Sequence, residues 1–337
     1  MAIKVGILGV SGYTGLELVK IILNHSDFEL TYAGASSEGK IDEIFPQLKG
    51  VCDLKVQKAD VSEIKSRCEL VFTALPHMES MKYIKELRKS VKIVDLSADY
   101  RISYRAYKAN YGEHLDKEGL KIAKYIIPEI NGKDATKTSL IANPGCYPTC
   151  SLLALAPFAS LINDKNGVFI DAKSGVSGAG KGLKESSHFI SANENANAYS
   201  PLTHRHAVEI KEHFEDLSGL ETQICFVPHL LPLSRGMLAT CYFTLSPEFK
   251  DTKPLELLKR TYKGHKFIRV CDAPPSIKNV AGTHFCDLYA MKSGDKVVVF
   301  SAIDNLLRGA SSQAVANANL MCGIDEYTAL PRIASFV

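Results

Sequence analysis

Tryptophan is absent and neither sign of charge dominates: 40 lysines and arginines face 37 aspartates and glutamates, a formal net charge of +3. No Lys/Arg run is long enough to form a dedicated tail, so no nucleic-acid partner is expected. Long apolar runs are missing too. The longest, Leu152 to Ile162, is about half of the roughly 20 residues that a membrane-spanning helix needs, and Pro157 interrupts it. No membrane segment is expected. The amino terminus, Met1 to Gly9, lacks the basic segment, apolar stretch and small-residue cleavage site of a secretory signal. Nine cysteines are scattered from Cys52 to Cys322 without a CxxC pair. That pattern fits free thiols in a reducing compartment, and the cytoplasm is the expected location. With 337 residues, 46% hydrophobic and 23% charged, the chain is neither collagen-like, disordered nor a small disulfide scaffold. Its length predicts two domains with separate cores, and its expected partner is a small molecule.

What is present begins with a strand. Residues 2 to 9 read as a buried strand, followed by a glycine-rich turn and a helix over Thr14 to Asn24, where Leu16, Val19, Ile22 and Leu23 recur at helical spacing. Phe28 to Ala33 is the next strand, completing a βαβ unit whose short connections favour parallel pairing. Glu69 to Leu75 and Val91 to Leu96 are further strands, with a helix-spaced segment between them. The first 145 residues therefore predict a Rossmann-like, doubly wound α/β domain. After Cys146 the pattern changes: a helix is expected over Cys150 to Ile162, then strands at Val168 to Lys173, Gln223 to Val227, Met237 to Leu245, Phe267 to Val270 and Val297 to Ile303. Such a run predicts an α+β domain with a mixed or antiparallel sheet. A late helix over Arg308 to Cys322 is expected to return to the first domain. The division is thus 1–146 plus about 308–337, and about 147–307.

Gly9-Val10-Ser11-Gly12-Tyr13-Thr14-Gly15 is a GxxGxxG turn, one residue wider in its first gap than the usual dinucleotide fingerprint. Lying after a strand and at a helix start, it can direct backbone amides and the helix dipole at a pyrophosphate. Gly9, Ser11, Gly12, Tyr13, Thr14 and Gly15 are the expected cofactor contacts. At the end of the second strand, where an acid favours NAD, stand Ser36, Ser37, Glu38 and Lys40. Two hydroxyls and a lysine suit a ribose 2′-phosphate, so NADP is expected over NAD.

The stretch Ala142-Asn143-Pro144-Gly145-Cys146-Tyr147-Pro148-Thr149-Cys150 places a cysteine between a strand end and a helix start. Amide dipoles there favour a thiolate, which makes Cys146 the candidate nucleophile. A metal site is not expected, because His204-x-His206, His284-x-Cys286 and Cys146-xxx-Cys150 match no structural zinc spacing.

With these residues the chain resembles the N-acetyl-γ-glutamyl-phosphate reductases, NADPH-dependent enzymes of arginine biosynthesis. The family's cysteine signature is matched from Ala142 to Pro157, with Cys150 standing where the family usually has Gly or Ala. Further family-like blocks are Gly12–Gly15, Leu75-Pro76-His77, Asp95–Arg101, Pro128-Glu129, Ser174–Gly180, His204-Arg205-His206, Pro232–Gly236 and Asp304–Ala310; Tyr125-Ile126-Ile127 departs from the usual Tyr-Gly-Leu. The resemblance implies that Cys146 attacks the γ-acyl phosphate, that phosphate leaves, and that the thioester accepts a hydride from NADPH. It points to His206 as acid/base, with His204 the other candidate; whether the two rings share a face depends on whether the segment is extended or helical. It adds Leu75, Pro76, Ser177, Gly178 and Asn305 to the cofactor set, and Arg101, His204, Arg205 and Arg235 to the substrate set, since guanidinium groups grip carboxylate or phosphate through paired hydrogen bonds. A homo-oligomer, dimer or tetramer, is implied. The competing readings are another acyl-phosphate reductase, of the aspartate-semialdehyde or aminoadipate type, and an NADP-binding regulatory protein without catalysis.

Overall fold

The computed structural model describes residues 2–182 and 184–334; the expected domain end at residue 337 lies outside the described residues. The chain forms two compact units, Met1–Pro144 with Ala310–Pro331, and Gly145–Gly309 with the residues from Arg332 onward.

In the first unit, β1 (Ile3–Leu8), α1 (Tyr13–Leu23) and β2 (Phe28–Gly34) form the expected βαβ unit, with β1 and β2 parallel. The strands β3 (Gly39–Lys40) and β4 (Lys55–Gln57) extend the sheet beyond β2; α2 (Val61–Arg67) then leads to β5 (Leu70–Thr73) on the other side of β1. The chain continues through α3 (Ser80–Leu87), β6 (Lys92–Asp95), α4 (Tyr104–Asn110), α5 (Lys117–Ile122), β7 (Lys124–Tyr125) and β8 (Leu140–Ala142). The sheet order is β3-β4-β2-β1-β5-β6-β8-β7, parallel except between β3 and β4. Val5, Ile7 and Leu8 of β1 and Leu70, Val71 and Phe72 of β5 have no exposed surface. That is the continuous apolar run expected of a strand covered on both faces. The order reverses between β1 and β5, and ligands of open α/β sheets bind beside such a switch point, beyond the carboxyl ends of the strands. A terminal helix, Ser312–Met321, belongs to this unit, its Ser311 hydroxyl bonded to the Thr14 carbonyl at 2.9 Å.

The second unit opens with α6 (Cys146–Leu155). This helix begins four residues earlier than its apolar run suggests. Gly145 caps it in an extended conformation and Pro148 sits in its first turn, where a missing N–H costs nothing. Pro157 then falls in a short 3₁₀ turn, Ala156–Phe158. The sheet uses β9 (Val168–Gly175), β10 (Asn197–Ala198), β11 (Ile224–Leu231), β12 (Met237–Thr244), β13 (Ile268–Val270), β14 (Cys286–Ser293) and β15 (Lys296–Ile303), in the order β10-β11-β9-β12-β15-β14-β13. It is mixed: β9 and β11 run parallel, as do β13 and β14, and the other pairs are antiparallel.

Of the elements of this unit absent from the sequence reading, two adjoin β15 and α6. One is β14, joined to β15 by the two-residue turn Gly294-Asp295 with Gly294 at φ +60°. The other is α7 (Arg205–Ser218), which ends at Gly219 in the left-handed region, φ +70°. Helices α6 and α7 pack together, α6 lying on β12 and β15. A third helix, α8 (Pro254–Thr261), lies against β14.

Candidate active site

The glycine turn of the first unit is built by close backbone approach. Gly9 has φ +86°, and a Cβ there would lie 2.2 Å from the Ala74 carbonyl oxygen. A Cβ on Gly15 would lie 2.5 Å from the carbonyl oxygens of Gly9 and Val10. Gly12 caps α1 in an extended conformation without a side-chain acceptor. The first amides of a helix lack intrahelical acceptors, and none is supplied here by the capping side chain. Ser11, Tyr13 and Thr14 lie in or beside this turn. Beyond the end of β2, Ser36, Ser37, Glu38 and Lys40 are all exposed. Leu75 and Pro76 follow β5 and lead to Met78, a non-glycine residue at φ +69°. That strained backbone is held by buried Asp99, which accepts the Met78 N–H at 2.9 and 3.1 Å and the Tyr107 hydroxyl at 2.9 Å.

In the second unit, Cys146 is the first residue of α6, and the other nine residues of that helix are buried. The nucleophile candidate is thus the one point at which this helix reaches solvent. The N–H of Gly145, the residue before it, donates to the Glu209 carboxylate at 2.8 Å. Glu209 is itself buried, on the first turns of α7, so it joins the start of α7 to the cap of α6.

The two histidines differ in role. His204 caps α7, its Nδ1 accepting the His206 N–H at 3.1 Å. Burial pushes the His204 imidazole down to about 4 against the opposing pull of Glu209, with Arg205 adding to the depression. It is therefore neutral near pH 7 and occupied as a helix cap. His206 lies within the helix, its ring centroid 4.9 Å from that of His204. The Tyr147 ring, next in sequence to Cys146, meets both imidazoles edge-on, at 5.6 Å from His204 and 5.8 Å from His206. Tyr199 donates its hydroxyl to that of Tyr147 at 3.0 Å, and burial raises the Tyr199 phenol to about 12.

A second cluster of the same unit gathers Ser177, Gly178 and Asn305. The Asn305 amide donates to the Ser177 hydroxyl at 3.0 Å and accepts the Gly236 N–H at 2.7 Å. Next to it, the Asp304 carboxylate accepts from Nε and Nη2 of Arg235, at 2.7 and 3.0 Å. Asp304 also accepts the N–H groups of Gly282, at 2.6 Å, and of Leu306 and Leu307, both at 2.9 Å.

Two of the three expected substrate arginines are engaged within the protein. Arg101 is buried, its guanidinium on the carbonyls of Asn143 and Leu96, both at 2.7 Å, so it braces the ends of β8 and β6. Arg235 is engaged by Asp304. Both guanidinium groups, expected on substrate, are directed at the protein itself; Arg205, the first residue of α7, is exposed. Cys150 is fully buried, donates to the Ser301 carbonyl at 3.2 Å, and burial raises its thiol to about 12. It is a packing residue.

Residues 4–138 match the family described as "Semialdehyde dehydrogenase, NAD binding domain", and residues 146–305 match "Semialdehyde dehydrogenase, dimerisation domain". Proteins named N-acetyl-gamma-glutamyl-phosphate reductase from Campylobacter curvus and Wolinella succinogenes are 58% and 51% identical, over 99% of both chains and 98% of both chains respectively. The chain belongs to the N-acetyl-γ-glutamyl-phosphate reductase family. It is an oxidoreductase with an NAD(P)-binding domain and a semialdehyde-dehydrogenase dimerisation domain. Its fold is shared with aspartate semialdehyde dehydrogenase II of Vibrio cholerae, at TM-score 0.71 and 14% identity over 96% of this chain and 99% of that one. The Candida albicans aspartate semialdehyde dehydrogenase with NADP gives TM-score 0.68 at 14% identity over the same shares. Among the described residues no helix is long and apolar enough to cross a membrane.

Glu209, Asp304 and Tyr199 bond to or beside the candidate residues, and the sequence reading gave none of them a task. Glu209 lies three residues beyond the His-Arg-His block, and Asp304 opens the Asp304–Ala310 block. Asp304 stands in that block without an assigned task, whereas Glu209 and Tyr199 lie outside every block named from the sequence.

Proposed function

We propose that the protein reduces N-acetyl-γ-glutamyl phosphate to N-acetylglutamate 5-semialdehyde with release of phosphate, using NADPH and a thioester on Cys146. The observation that carries this reading is Cys146 itself, the solvent-reaching first residue of an otherwise buried helix, in a chain 58% identical to a protein named for that reaction. The helix N-terminus favours the anionic sulfur that must attack the acyl carbon. The sulfur–carbon bond forms as the carbon–oxygen bond to phosphate breaks, which leaves the acyl group on Cys146. NADPH, when bound, supplies the hydride that takes the thioester to the aldehyde level. His206 is the acid/base: it holds the thiol proton during acylation and returns a proton to the sulfur when the aldehyde departs. His204, neutral near pH 7 and occupied as a cap, serves to orient α7. Glu209 fixes the cap of α6 through the Gly145 N–H.

The residues of the first unit fit the dinucleotide. Gly9, Gly12 and Gly15 clear the backbone at the start of α1, and Ser11, Tyr13, Thr14, Leu75 and Pro76 flank it. Exposed Ser36, Ser37 and Lys40 offer two hydroxyls and a cation to a 2′-phosphate, which favours NADP over NAD although Glu38 stands among them. We assign this unit to the cofactor and the unit from Gly145 to Gly309 to the chemistry, with Ser177, Gly178 and Asn305 at the nicotinamide end. Among the expected substrate contacts we retain Arg205 and His204, and we read Arg101 and Arg235 as residues that hold neighbouring loops.

We further propose a homo-oligomer formed through the open face of the second sheet. Phe243 is buried against Phe158, so alternation turns Tyr242 to the opposite face, where it pairs across strands with Phe169. Tyr242, Phe169 and Met291 are 41%, 52% and 51% exposed, more than an apolar sheet face leaves to water in a finished assembly.

The test is phosphate-dependent NADP⁺ reduction with N-acetylglutamate semialdehyde, beside aspartate semialdehyde. Turnover of the acetylated substrate alone is expected. Preference for aspartate semialdehyde would replace the substrate and keep the chemistry, and NADPH binding without turnover of either would favour a regulatory role.

A further inference from the structure

Behind the nucleophile lies a short π-turn, Leu307–Ser311, formed where β15 has ended. Its Gly309 leaves no room for a side chain: a Cβ there would sit 2.6 Å from the Cys146 Cβ and 3.0 Å from its Cα. The backbone of Gly309 is therefore a wall against which Cys146 rests, and the position of that wall limits where the sulfur can point. Asp304 ties the near side of the turn, through the N–H groups of Leu306 and Leu307 and through its own carbonyl, which accepts the Gly309 N–H at 2.9 Å.

The residue just before the wall is Arg308, whose side chain has no exposed surface. Its Nη1 donates to Nε2 of His284 at 2.5 Å, and His284 is likewise fully buried, its ring edge-on to Phe267 at 4.8 Å. A guanidinium cannot shed its charge, so the imidazole must present a bare nitrogen to it. Burial holds His284 well below its ordinary range, with Arg308 adding to the effect, in keeping with that acceptor role. Retaining a buried cation inside the fold is costly unless its partners are fixed, which makes the Arg308–His284 contact a rigid strut.

We propose that the Arg308–His284 hydrogen bond is a positioning clamp that holds the Gly309 wall against Cys146 and so sets the attack geometry of the thiol. Neither side chain reaches solvent, so both act through one backbone. The inference rests on Cys146 being the nucleophile, as proposed above. A misplaced sulfur lowers the rate of bond formation without weakening the binding of either substrate, because near-attack alignment enters kcat before it enters KM.

The experiment compares wild type, His284→Leu and His284→Gln in the phosphate-dependent direction, with thermal unfolding alongside. Gln offers Oε1 as an acceptor in place of Nε2, whereas Leu fills similar space without one. The Leu variant is expected to lose at least tenfold in kcat with both KM values within twofold, and Gln is expected to restore at least half of wild-type kcat. Alkylation of Cys146 by iodoacetamide, mapped by mass, reads the same clamp without substrate: the Leu variant should differ from wild type at least fivefold and the Gln variant by less than twofold. If His284→Leu does not fold, Arg308→Met, which has no donor for His284, replaces it under the same criteria. Equal kcat and equal alkylation in all the folded variants overturns the clamp and leaves the reductase reading intact. A wild type without turnover, combined with split alkylation rates, keeps the clamp and removes the reductase reading.

Discussion

The carboxylate of Glu209 accepts the backbone N–H of Gly145 at 2.8 Å, 64 residues away in sequence and one residue before Cys146. Through this contact the first turns of α7 hold the cap of α6. A buried N–H deprived of its acceptor costs about 1–3 kcal/mol. Glu209→Ala should therefore lower unfolding stability in urea by about that amount, while Glu209→Gln, which can still accept through Oε1, should lose less than about 1 kcal/mol. Equal losses would show that the negative charge, not the hydrogen bond, matters there.

His204 carries a pH signature of its own. His204 is pushed down to about 4 from an ordinary value of 6.5, mainly by burial. The unfolded chain thus takes up this proton at higher pH than the folded one, so the contribution of neutral His204 is present above about 6.5 and is lost as pH falls toward 4. His204→Gln should flatten the fall of melting temperature between pH 7 and pH 4 relative to wild type; an unchanged slope contradicts the assignment. In turnover, His206→Asn should reduce kcat at least a hundredfold with NADPH affinity unchanged, and a larger loss in His204→Asn would exchange the two roles.

Lys40 is exposed beyond the end of β2, beside Ser36 and Ser37. Charge reversal to Glu should weaken NADPH at least tenfold and NADH less than twofold, as read by quenching of cofactor fluorescence. Parallel weakening of both would detach Lys40 from the 2′-phosphate.

For the assembly, Phe169 and Tyr242 are a cross-strand pair on the open face of the second sheet. Lysine at both positions should convert the oligomer to monomer in sedimentation velocity without loss of helical signal. A mutant that stays oligomeric would move the interface to another face.

The glycine turn and Cys146 were legible in the sequence because their requirements are local. A strand followed by Gly9, Gly12 and Gly15, or Pro-Gly-Cys ahead of Pro148, constrains a backbone within a few residues. The task of an arginine is different in kind. Arg101 and Arg235 stand in blocks that suggested substrate, yet the first grips the carbonyls of Leu96 and Asn143 and the second grips Asp304, 69 residues along the chain. Nothing within a window reveals such a partner. Strand β14 was missed because its early residues Cys286, Asp287 and Leu288 are all buried, which erases the alternation that marks a one-sided strand. Helix α7 carries a weak signal for another reason: of its 14 residues only Glu209, Ile210 and Phe214 are buried, too few to mark an apolar face.

A covalent acyl group on Cys146 is read by mass spectrometry of protein mixed with N-acetyl-γ-glutamyl phosphate in the absence of NADPH. One N-acetylglutamyl group per chain is expected, mapped to Cys146, discharged when NADPH is added and absent from Cys146→Ala. Turnover that persists in Cys146→Ala, or an acyl group carried by a different residue, would contradict it.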